Sequence, residues 1–134
     1  MSILGELRAN PEKVIKETNI YVDVKLMGSK SGGPIIINEK NKTSYSYFSI
    51  ISAVNSYDYY FPFVSRNAGD ICMMPIEGTI VVTAGMNGCA LEVCHSSKGY
   101  HFYHDADGKY MSKVHNPGIT VCRIEANSYW SNSY

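Results

Sequence analysis

Four cysteines and four histidines are the residues best suited to chemistry in this 134-residue sequence. One cysteine stands in a useful place. Cys89 follows the glycine-containing turn Gly85-Met86-Asn87-Gly88 and opens the strand-like run Cys89 to His95. A thiol there can sit at the rim of a sheet, where turn amides around Asn87, Gly88 and Cys89 favour the thiolate and can hold an oxyanion. A nucleophilic thiol also needs a base within hydrogen-bond reach.

Hairpin register selects that base. The turn Ser96-Ser97-Lys98-Gly99 invites a hairpin, and if residues 95 and 100 flank it as a pair, Leu91 faces His104 and Cys89 faces Ala106. His104 is then a diagonal neighbour of Cys89 on the same face. His101 falls opposite Cys94 on the other face, His95 lies too far along the strand, and His115 sits in a later loop that the register does not place. Cys89, Leu91, Val93, Phe102 and His104 form a mostly apolar side, and Glu92, Cys94, His101 and Tyr103 a more polar one. An activated Cys89 is expected to react with iodoacetamide faster than Cys72, Cys94 or Cys122.

Other patterns carry less. Cys89 and Cys94 are an odd number of residues apart on one strand and face opposite ways, which argues against a zinc knuckle, so no metal or other cofactor is expected. Asp105-Ala-Asp-Gly108 reads as a hairpin turn, since the later ligands of a calcium loop are missing. The aromatic run Tyr57 to Phe63 suits either a protein-recognition surface or core packing with a loop anchor.

The elements that must position these residues are mainly strands. Ile3, Leu4, Leu7, Val14 and Ile15 are spaced for two short helices or one broken at Pro11. From Tyr21 onward the period changes to two. Strands are expected at Ile20–Met27, Gly33–Asn38, Ser44–Ala53, Asp70–Met74, Thr79–Ala84, Cys89–His95, Tyr100–His104 and Gly118–Glu125, with turns that include Gly28–Gly33. The expected class is mainly β (α+β), a β-sandwich of mixed or antiparallel strands under one or two N-terminal helices. The chain reads as a single domain, 1–134, with a helical cover at 1–18, a β core at 19–126 and a tail at 127–134 that frays.

Twelve basic and twelve acidic side chains give net charge zero, which argues against nucleic acid as a partner. No apolar run approaches the ~20 residues of a membrane span, and no signal peptide is recognisable, so a soluble chain with reduced thiols is expected.

At Thr83 to Asp107 the sequence resembles the toxin glutamine deamidases, the family of the cytotoxic necrotizing factor catalytic domain and the Burkholderia lethal factor. That family has a nucleophilic Cys in a Leu-Ser-Gly-Cys-like turn and a His on the next strand of a β-sandwich-like core. Here the turn is Met86-Asn87-Gly88-Cys89, with His104 fifteen residues after the cysteine and Thr83 six before it. The lethal factor's shorter spacing points to His101 as an alternative base. The resemblance implies a bacterial effector, made in the bacterial cytosol and acting after secretion or inside a host cell. Its substrate would be a glutamine on a host GTPase or translation factor. Cys89 would attack the carboxamide, His104 would serve as acid and base, and Thr83 or Asp105 would orient the imidazole. A cysteine protease, a transglutaminase-like enzyme and a non-catalytic β-sandwich binding module are the competing expectations. The oligomeric state and the delivery route are not encoded in any motif.

Overall fold

The computed structural model describes residues 2–27 and 31–129. Two short helices come first. In α1 (Ile3–Ala9) the Ser2 hydroxyl caps the Gly5 amide at 2.8 Å, and Glu39 accepts from the Ile3 and Leu4 amides at 2.6 and 3.1 Å. These two acceptors serve the first three helical amides, which a helix N-terminus leaves without partners. Asn10 ends α1 and Pro11 starts α2 (Pro11–Glu17), because proline lacks the amide proton needed inside a helix but fits the first helical position.

The strands are β1 (Ile20–Asp23), β2 (Gly33–Asn41), β3 (Ser46–Ser52), β4 (Asp58–Phe61), β5 (Ala68–Met73), β6 (Val81–Thr83), β7 (Ala90–Ser96), β8 (Gly99–Asp105) and β9 (Ile119–Ile124). A single helical turn, α3 (Ala126–Tyr129), follows β9. The protein is mainly β with two sheets and a few short helices. Among the described residues no helix is long and apolar enough to cross a membrane.

The chain forms two compact units. The first, residues 1–28, 33–59 and 76–81, holds both N-terminal helices and the sheet that begins β1-β3-β2. There β1 runs parallel to β3, and β2 pairs with β3 antiparallel. Ile35, Phe48 and Ile50 are at most 2% exposed and form its apolar centre. Arg8 ties α1 to the start of β4 by a two-pronged ion pair to Asp58 at 2.6 and 2.5 Å.

The second unit, residues 29–32, 60–75 and 82–134, holds an antiparallel sheet of order β5-β8-β7-β9. Its central hairpin has the expected register, with Ser96 paired to Gly99 and Leu91 to His104.

Several expectations are corrected. The strand foreseen as Ile20–Met27 stops at Asp23, whose carboxylate takes the Lys25 amide at 2.9 Å and turns the chain. β4 arises inside the aromatic run, where Tyr60 and Phe61 are at most 1% exposed, so core packing accounts for those two rings. The side of β7 and β8 that reads as polar is the better-buried one: Glu92, Cys94 and Tyr103 are at most 8% exposed. Residues 28–30 of the expected turn and 130–134 of the expected tail lie outside the described residues.

Candidate active site

Cys89 and His104 both belong to the second unit. Gly88 has φ +87°, a left-handed conformation that any residue with a Cβ resists, so it lets the chain turn sharply just before Cys89. Cys89 is 5% exposed and stands one residue before β7, while Asn87 is exposed in the turn. Ala90 pairs with Asp105 and Leu91 with His104, so Cys89 is diagonal to His104, at a usual Cα separation of ~7–8 Å.

His104 is fully buried, and its ring orientation follows from hydrogen-bond bookkeeping. Thr83 Oγ1, at the end of β6, lies 2.7 Å from His104 Nδ1 and also 2.7 Å from the Phe61 carbonyl. The carbonyl can only accept, so it takes the single hydroxyl proton. Thr83 must then accept from Nδ1–H. The ring is therefore the Nδ1-protonated tautomer, with a bare lone pair on Nε2. Nε2 is buried with no hydrogen-bond partner among the described residues.

Packing fixes the same ring. Phe61 and Phe63 meet it edge-on at centroid distances of 6.4 and 5.4 Å, and Phe63 is 43% exposed, so it forms the solvent-side wall. The Phe61–Phe63 segment can run this close because Gly69, paired with His104, has no side chain. A Cβ there would lie 1.9 Å from the Pro62 carbonyl oxygen.

Burial pushes the His104 imidazole below its ordinary value of 6.5, and the neighbouring Asp105 charge offsets part of that. The ring is neutral at pH 7, the form that accepts a thiol proton. Because the folded value is depressed, the unfolded chain binds this proton first as the pH falls below 6.5. Stability should decline from there until the pH passes the folded value. His104→Gln is expected to flatten that acid-side slope in urea unfolding measured across pH, and an unchanged slope would contradict the buried neutral ring.

The remaining expected residues are placed elsewhere. Asp105 does not orient the imidazole: its carboxylate accepts from Arg123 Nη2 at 3.1 Å and from the Tyr110 amide at 2.7 Å. His101 pairs with Cys94 and Cys72, and its Nε2 lies 2.7 Å from Ser96 Oγ and 3.6 Å from Cys72 Sγ. Three residues from His104 on one strand, it faces the other side of the sheet and cannot serve Cys89. Cys72 is exposed and beside an imidazole, so it competes with the buried Cys89 for alkylating reagents.

Sequence reasoning missed the Phe61 carbonyl, the Phe63 wall and the gap at Gly69. The aromatic run was the available signal for the first two.

The register sets Cys89 diagonal to the buried His104, and the Cys89 thiol makes no hydrogen bond to His104 Nε2 in this conformation. No protein-family model matches the sequence, and no curated protein matches it. The functional reading therefore stands on the site residues.

Proposed function

We propose that this protein is a cysteine-dependent amidohydrolase that deamidates a glutamine side chain of a protein substrate. The observation that carries the reading is the buried His104, with Nδ1 bound to Thr83 and Nε2 without a hydrogen-bond partner among the described residues, on the strand paired with the one that Cys89 precedes. The Cys89 proton passes to Nε2, and the thiolate attacks the carboxamide carbon. Amides of the Asn87–Cys89 turn hold the oxyanion. The imidazolium protonates the departing nitrogen, the C–N bond breaks, and ammonia leaves a thioester. Nε2 then takes a proton from water, the hydroxide opens the thioester, and glutamate and the thiol are released. The resemblance to toxin deamidases extends the proposal to a bacterial effector acting on a host protein.

The protein incubated with a host-cell lysate should convert a specific glutamine to glutamate, read by mass spectrometry of the digested proteome. Cys89→Ser and His104→Gln should return conversion to background. New N-termini would make the enzyme a protease, and incorporation of an added primary amine would make it a transglutaminase. A proteome identical to that treated with Cys89→Ser would end the catalytic reading.

A further inference from the structure

The opposite side of the β5-β8-β7-β9 sheet carries a second thiol beside an imidazole. Cys72 on β5 pairs with His101 on β8, and paired residues share a face. Cys72 Sγ lies 3.6 Å from His101 Nε2 and is exposed. Ser96 Oγ accepts from the Lys98 amide at 3.2 Å and lies 2.7 Å from His101 Nε2, and the Cys72 thiol donates to the Lys98 carbonyl at 3.7 Å. The second lone pair of Ser96 Oγ can accept from that nitrogen once it has taken a proton, which stabilises the imidazolium. The His101 ring stacks on Tyr103, with 6.0 Å between centroids and 3° between planes, which fixes its orientation.

His101 also lines a groove of about 390 Å³ whose other walls include Asp70, Lys98, His115 and Asn116, and Cys72, outside that lining, adjoins it through His101. Such a volume is at the lower end of small-molecule sites and suits one arm of a small peptide ligand. Lys98 offers a cation to a carboxylate, and Asp70, two residues before Cys72 on the same face, offers an anion to an amine. Burial raises the Asp70 carboxyl above its ordinary value, and the nearby His101 lowers it in part.

We propose that Cys72 and His101 form a thiol–disulfide exchange site for a small zwitterionic peptide disulfide. His101 Nε2 takes the thiol proton, and the Cys72 thiolate attacks one sulfur of the bound disulfide. The peptide S–S bond breaks as the Cys72–peptide S–S bond forms, and the departing thiolate takes the proton from His101. The incoming disulfide is the only oxidant, and one peptide thiol is released per modified protein.

Cys122 is the internal control, because it is exposed like Cys72 and has no imidazole within bonding distance among the described residues. The full-length Cys89→Ser variant, used so that the reading is independent of the proposed active site, is treated with oxidised glutathione at pH 7. Adducts are counted by peptide mass spectrometry. Cys72 should react about five to ten times faster than Cys122, because an imidazole 3.6 Å away can take the thiol proton during attack. His101→Gln should erase the advantage, with far-UV circular dichroism confirming that the variant is folded. Lys98→Gln should erase any preference for oxidised glutathione over neutral hydroxyethyl disulfide. A Cys72 rate at or below that of Cys122 would overturn the proposal. Equal rates with both disulfides in the unmutated groove would overturn its peptide specificity.

Discussion

Replacing Arg123 with methionine is expected to cost about 3–5 kcal/mol, the usual penalty for removing one partner from a buried ion pair. Arg123 spans two carboxylates that have little other access to charge. Its Nη1 meets Glu92 at 2.7 Å and its Nη2 meets Asp105 at 3.1 Å, with those acids 10% and 0% exposed. The Gly108 carbonyl accepts from Nη2 at 3.0 Å, and Glu125 from Nε at 3.0 Å. Methionine keeps much of the stem's length but leaves both acids facing an apolar group.

The penalty should depend on pH in a defined direction. Burial alone would raise Glu92, but hydrogen bonds from Thr120, Arg123 and the Cys94 thiol outweigh it and hold the carboxyl below its ordinary 4.5. Glu92 therefore contributes stability above 4.5, and that contribution is lost as the pH falls through its folded value. Without Arg123 the burial effect gains weight, so the variant suffers most at neutral pH and the gap to the parent narrows in acid. Urea unfolding at pH 7 and near pH 4 should show this. Arg123→Lys should fall between the two, since one ammonium cannot fork across two carboxylates. A loss under about 1 kcal/mol at pH 7 would mean that the acids find other partners. The same pair anchors Asp105, the residue after His104, so the site and this network share a strand end.

That network was hidden from sequence reading for a geometric reason. Thr120 and Arg123 are three residues apart, so strict alternation puts them on opposite faces of a strand. A β-bulge lies between the pairs Val93–Cys122 and Cys94–Thr120. The extra residue turns Thr120 and Arg123 to the same side, where both reach Glu92. The side holding Glu92, Cys94 and Tyr103 then reads as polar from residue types although it is buried, because its polar groups satisfy one another.

The hairpin, by contrast, was legible, because its turn and both strands lie within a short stretch and the turn fixes the register. The placement of His104 relative to Cys89 follows from that alone. Contacts across long separations were not. Cys72 meets His101 at a sequence distance of 29 residues, which depends on β5 pairing beside β8. In β4, adjacent Tyr60 and Phe61 are both buried, so the run lacks the alternation that marks a strand facing solvent on one side.

Thr83→Val is expected to reduce turnover by between ~10² and ~10⁴ with little change in KM, because it removes a positioning group without touching the substrate. Valine nearly matches threonine in shape but offers Nδ1–H no acceptor. The proton is then free to move to Nε2, which would present a donor to Cys89 instead of a lone pair. Thr83→Ser keeps the hydroxyl and should restore most of the activity, an outcome that a purely packing role for the methyl group would not give. The effect can be read without a known substrate, from the rate of iodoacetamide alkylation at Cys89. That measurement requires the Cys72→Ser, Cys122→Ser background, since both of those thiols are exposed and one stands beside His101. Across pH 6 to 8, alkylation of Cys89 should slow in Thr83→Val and recover in Thr83→Ser, with His104→Gln as slow as the valine variant. Equal rates in all three would remove the tautomer argument and the assignment of His104 as the base.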